Sequence, residues 1–85
     1  MTEQDAIKMI NEVFVDSFEI PKDKLFPEAN IFNDLGLDSL DIVDLVVALQ
    51  KKFQITIRSD ERVRNIRTLG DIYQFIFTIK KELEK

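Results

Sequence analysis

Apolar residues recur at intervals of three and four in three stretches of the chain, and that spacing predicts three amphipathic helices. In the first, over about residues 3–17, Ile7, Ile10, Phe14 and Phe18 share one face and Val13 widens it. Thr2, followed three residues later by Asp5, has the form of a capping box in which Asp replaces the usual Glu. Pro21 is expected to stop this helix, because the residue before a proline is pushed out of helical backbone. The second helix is expected over about 39–53, with Leu45, Val46, Leu49 and Phe53 as its inner stripe. Asp38 stands at its N-cap position, and Asp41 follows three residues later. The last helix repeats Leu69, Ile72, Ile76, Ile79 and Leu83, starts at a box-like Thr68 and Asp71, and places Lys80, Lys81 and Lys85 near its negative end.

The intervening segments read differently. Residues 19–37 keep no period and are punctuated by Pro21, Pro27, Asn30, Asn33 and Gly36. A loop of that length in a small domain is functional or anchored. Leu25, Phe26, Ile31, Phe32 and Leu35 are expected to pin it to the core, with Asn30 opening a short turn. Ile55 and Ile57 alternate with polar residues, but a lone strand has nothing to pair with, so an extended loop is expected. A short helix capped by Ser59 is expected at about 60–65. These elements make an all-α fold, a small four-helix bundle of three longer helices plus one short third helix, as a single domain over 1–85.

Composition narrows the chemistry more than the fold. Apolar residues form 45% of the chain, enough for a core, and no apolar run reaches the eighteen or so residues of a membrane span. The polar, acidic start Met1-Thr2-Glu3-Gln4-Asp5 is unlike a targeting peptide, and the lack of Cys fits a reducing cytoplasm, the expected location. With neither Cys nor His, the chain lacks a thiol nucleophile, the commonest general base and the strongest zinc ligands. Two Gly cannot build a phosphate-cradling loop. Only three Ser remain, at 17, 39 and 59. This inventory argues against an enzyme and against a metal site. Residues 1–50 hold eleven acids and three bases, net −8, whereas residues 51–85 hold five acids and nine bases, net +4. Such asymmetry predicts a dipolar surface with charged partners, and the overall −4 speaks against nucleic acid.

Leu35-Gly36-Leu37-Asp38-Ser39-Leu40-Asp41 ends the long loop and opens the second helix. A helix start leaves N–H groups unpaired and carries about half a positive charge, so a phosphate attached to a serine there is favoured. Ser39 is expected to be exposed, and Gly36 permits a backbone turn that other residues resist.

These residues resemble the acyl carrier protein family. Leu35, Gly36, Asp38, Ser39 and Leu40 meet its Leu-Gly-x-Asp-Ser-Leu pattern, which continues through Asp41, Val43, Asp44, Leu45, Ala48, Leu49 and Phe53. The helix order, the long first loop and the length fit as well, so the resemblance covers nearly the whole chain. It implies a covalent 4′-phosphopantetheine on Ser39, donated by coenzyme A through a magnesium-dependent phosphopantetheinyl transferase. The arm's thiol would carry acyl groups as thioesters between enzymes of fatty-acid, specialised lipid or polyketide synthesis. The implied partners are that transferase and acyl-loading and acyl-processing enzymes, and the implied state is a monomer. Asp38, Asp41 and Asp44 would meet basic patches on these partners, and Leu40, Val43 and Val47 would form the apolar part of the docking face.

Each residue also has a plainer reading. Asp38 and Ser39 can be a bare helix cap, Asp41 and Asp44 can be first-turn acids, and Leu40, Val43 and Val47 can be core. The phenylalanines and Tyr73 read as packing, and Phe75 and Phe77 cannot both face inward. The chain also departs from the family pattern. Where acids are usual it has Gln50, Lys51, Lys52, Arg58, Arg62, Arg64 and Arg67 against Asp60 and Glu61, so residues 51–67 are net +4. That reversal favours a specialised carrier with its own partners. An aminoacyl or peptidyl carrier, and an unmodified helical interaction module, are the alternatives.

Overall fold

The computed structural model describes residues 2–57 and 65–83. Three α-helices dominate: α1, Glu3–Phe18; α2, Ser39–Phe53; and α3, Leu69–Leu83. α1 packs against both α2 and α3. Among the described residues there is no strand, only an isolated antiparallel bridge between Asn30 and Thr68. The all-helical fold is as expected. Apart from Asn65, the short helix expected at about 60–65 lies outside the described residues, as do Ser59, Arg58, Arg62, Arg64 and Lys85.

The helix starts follow local sequence. At α1 the Thr2 hydroxyl accepts the Asp5 N–H at 3.1 Å, and the Asp5 carboxylate accepts the Thr2 N–H at 3.2 Å. Thr68 and Asp71 form the same reciprocal pair at α3, and Asp71 also accepts the Arg67 N–H at 2.9 Å. Each box answers orphan N–H groups of a first turn.

The end of α1 differs from expectation. Pro21 does not stop it: Glu19 turns into left-handed backbone at φ 56°, and the Ile20 N–H reaches back to the Phe14 carbonyl at 3.2 Å. Pro21 instead leads into a single 3₁₀ turn, Lys22–Lys24. α2 ends likewise at Gln54, where the Ile55 N–H bonds the Gln50 carbonyl at 3.1 Å, and the Gln50 side chain accepts the Ile57 N–H at 2.8 Å. Ile55 and Ile57 lie past the end of α2 in neither helix nor strand, with Ile57 buried.

The inner stripes meet in one core, in which Ile10, Phe14, Leu45, Leu49, Leu69, Ile72 and Ile76 are buried. Val46, Phe18 and Ile7 lie at its edge, half-buried. Phe75 is buried and Phe77 half-buried, so one faces inward as the spacing requires. Tyr73 is buried and its hydroxyl donates to the Asn11 side chain at 2.6 Å, tying α3 to α1.

The long loop is anchored, but not by all the residues expected. Ile31 and Leu35 are buried, together with Ile20, Ala29 and Leu37, whereas Leu25 and Phe32 are half-buried and Phe26 is 47% exposed. The stronger anchor is backbone. The carbonyls of Pro27 and Ala29 accept the N–H groups of Gly70 and Leu69 at 2.9 and 3.0 Å, and the Ile31 N–H donates to the Arg67 carbonyl at 2.9 Å. The loop thus takes up first-turn donors of α3 that would otherwise have no partner. Gly70 permits this approach, since a Cβ there would lie 3.1 Å from the Pro27 oxygen.

Candidate functional site

The path into α2 is built from the loop upward. The Asn30 side chain accepts the N–H groups of Phe32 and Asn33 at 2.9 and 2.8 Å, while the Asn30 N–H donates to the Asp34 carboxylate at 2.7 Å. The Asn30 carbonyl accepts from Asp34 and Leu35, and the Leu37 N–H donates to the Ile31 carbonyl at 3.1 Å. Leu35 and Leu37 are buried on either side of Gly36, which takes φ +74° with nothing within 4 Å of a Cβ placed on it. Gly36 is therefore needed for its backbone angle, not for room.

Asp38 caps α2. Its carboxylate accepts the Asp41 N–H at 2.9 Å, and the Asp41 carboxylate returns the contact to the Asp38 N–H at 3.0 Å. The Asp38 carbonyl accepts the Ile42 N–H at 3.1 Å. Each carboxylate spends one oxygen, Asp38 Oδ1 and Asp41 Oδ2, on the box. The second oxygen of each is not used in it, so capping and contact with a partner are compatible roles.

Ser39 is the first residue of α2 and is exposed. Among the described residues its hydroxyl has no hydrogen-bond partner, and the N–H groups of Ser39 and Leu40 have none either. A free hydroxyl beside two unpaired N–H groups suits a phosphate ester, whose oxygens can accept from that first turn. Ser17, by contrast, sits within the last turns of α1, and Ser59 lies outside the described residues.

The other expected site residues fall on the outer side of the same helix. Leu40 is 75% exposed, Val43 61% and Val47 42%, so they are surface and not core. Asp44 is exposed and Asp41 half-buried beside its box. Ser39, Leu40, Val43, Asp44 and Val47 thus lie together on α2, opposite the buried Leu45, Leu49 and Phe53. The short turn expected at Asn30 is present, but its closure by Asp34 and the pairing of the loop with the start of α3, which fix the approach to Ser39, were the parts that spacing missed. An Asn with an Asp four residues later, and a Gly in a helix's first turn, are the signals they leave in the sequence. No group of three or more Cys, His, Asp or Glu able to hold a metal is present among the described residues.

The sequence profile described as "Phosphopantetheine attachment site" matches residues 9–76. An acyl carrier protein of Syntrophobacter fumaroxidans is 40% identical over 67 residues, covering 79% of this chain and 82% of its own. The acyl carrier protein from Enterococcus faecalis, whose structure was described for its high thermal stability, superposes with a TM-score of 0.71 at 28% identity. That match covers 92% of this chain and 98% of the other.

The chain belongs to the phosphopantetheine-binding acyl carrier family. It is an acyl carrier and not an enzyme, and its cofactor is covalent 4′-phosphopantetheine. The arm supplies the thiol that this cysteine-free sequence lacks. As a carrier it works with a transferase that installs the arm and with enzymes that act on the cargo. No described helix is long and apolar enough to cross a membrane.

Proposed function

We propose that Ser39 is the residue that bears the arm, within a single carrier domain over residues 1–85. The observation that carries this reading is the free, exposed hydroxyl at the first position of α2, next to two unpaired N–H groups and inside the matched span 9–76. Loading forms a bond between the Ser39 oxygen and the phosphorus that bears the pantetheine. It breaks the pyrophosphate bond of coenzyme A and releases adenosine 3′,5′-bisphosphate, and the hydroxyl proton passes to the transferase or to solvent. In this reading Asp38 holds the helix start and meets the transferase, and Leu40, Asp41, Val43, Asp44 and Val47 form the face on which it and the acyl-loading and acyl-processing enzymes dock. Their work is placed in the cytoplasm, with the chain acting as a monomer.

The test is intact mass after incubation with a broad-specificity phosphopantetheinyl transferase, coenzyme A and magnesium. The native chain should gain one phosphopantetheine and Ser39→Ala none. Gain by the Ser39→Ala variant would move the attachment to another serine, and Ser17→Ala would then identify it.

A further inference from the structure

The outer face of α2 carries opposite charges at its two ends. Leu40, Val43, Asp44, Val47 and Lys51 recur at helical spacing and fall within one face, away from the buried Leu45, Leu49 and Phe53. From Leu40 to Lys51 the face runs about 16 Å, and Asp44 lies about 10 Å from Lys51 along the axis, at 1.5 Å per residue. Asp38, Asp41 and Asp44 make one end acidic, and exposed Lys51 makes the other basic, with the exposed apolar side chains between. The neighbouring Lys52 is already engaged, its ammonium 3.1 Å from the Glu12 carboxylate on α1. Lys51 has no ionic partner among the described residues. Lys51 and Lys52 border an open groove between α1 and α2, with Val13, Ala48, Ser17 and, on the α1 side, Asp16.

Resting on the carrier reading, we propose that this face selects partner enzymes with a bipolar docking patch. Such a patch has basic side chains over Asp41 and Asp44, an apolar centre over Leu40, Val43 and Val47, and a carboxylate about 10 Å further along that meets Lys51. A patch that is basic throughout fits the first end and is repelled at the second. Asp16 across the groove requires the partner's carboxylate to approach from the α2 side. The selectivity therefore resides in one helix position. Because Lys51 lies outside the core and makes no ion pair among the described residues, its charge can be changed without disturbing the fold.

The experiment uses the full chain loaded with phosphopantetheine. The probes are a ketoacyl synthase whose carrier-binding patch is wholly basic and a variant of it with Glu replacing the base that faces the end of α2. Intact mass is checked first on the native chain and on Lys51→Glu, and failure of the native chain to load would sink the carrier reading itself. With loaded proteins, Lys51→Glu should bind the all-basic synthase about fivefold to tenfold more tightly than the native chain at low ionic strength. The advantage should shrink at high salt, and the order should reverse on the Glu-bearing synthase. Lys51→Ala should fall between the two. Equal binding of native chain and Lys51→Glu to both synthases, including no measurable binding of either, would overturn the proposal, since Lys51 would then lie outside the footprint.

Discussion

Asp38→Ala removes one acceptor, and the structure says what that is worth. The Asp41 N–H loses its 2.9 Å bond, whereas the reciprocal contact from the Asp38 N–H to Asp41 at 3.0 Å uses backbone and survives. Both groups are at the surface, so water replaces part of what is lost, and the expected cost is about 1 kcal/mol. The lost negative charge at a helix start adds roughly 0.3–0.5 kcal/mol. For a chain of this size the sum lowers the midpoint of thermal unfolding, followed by circular dichroism, by about 5–10 °C. Asp38→Asn keeps an acceptor in the same place and should lose only the charge contribution, about 0.5 kcal/mol or less. The pair also separates cap from partner contact. If the carboxylate meets the transferase, Asp38→Asn loads about tenfold more slowly although it is nearly as stable as the native chain, the worth of one charge-assisted hydrogen bond. Asp38→Asn as unstable as Asp38→Ala would refute the capping argument. Native loading by Asp38→Asn would refute the contact.

Two further outcomes follow from the fold. Tyr73 is the chain's single tyrosine and there is no tryptophan, so tyrosinate absorbance reports it alone. Burial pushes its phenol above the usual 10.0, and the midpoint should fall back to that value in denaturant. Because the folded value is raised, the stability linked to it is complete below pH 10.0 and drains away as pH rises through the folded value; a midpoint unchanged by unfolding would contradict the burial. The two glycines should resist alanine for different reasons. Gly36→Ala costs about 1 kcal/mol from left-handed backbone alone, since the space beside it is open. Gly70→Ala should fail to deliver the roughly 0.5–1 kcal/mol that alanine normally gains in a helix, because its Cβ presses on Pro27, and amide exchange at Leu69 and Gly70 should quicken; a clear gain in stability there would contradict the close approach.

The elements that the sequence made legible are those decided by neighbours in the chain. Thr2 with Asp5, Asp38 with Asp41 and Thr68 with Asp71 each close a box within three residues, so their helices begin where the spacing predicts. The inner stripes hold for the same reason, and so does the position of Ser39. The end of α1 was less legible, because a left-handed Glu19 competes with a more conspicuous proline two residues later. Hydrophobicity also misled at Phe26. The loop is held there by the Pro27 and Ala29 carbonyls on the start of α3, about forty residues away, and that anchor leaves Phe26 outside. Burial of Leu40, Val43 and Val47 was open in the sequence because they stand beside the inner stripe, and the packing of α1 against the opposite side of α2 puts them in solvent.

The single helix α2 divides its tasks by direction. Inward, Leu45, Leu49 and Phe53 complete the core. At its start, the Asp38–Asp41 box, Gly36 and the buried Leu35 and Leu37 hold the backbone on both sides of a serine whose own hydroxyl is left free. Outward, the apolar and charged side chains contribute little to folding. A carrier has to present the same attachment point to every enzyme while being accepted by only some of them. Separating these demands around one helix lets the charge at Lys51 change without moving Ser39. If Ser39 bears the arm and Lys51 lies in the docking footprint, a change in the basic turn at the end of α2 alters which enzymes bind, while the loop pinned to α3 keeps Ser39 in place.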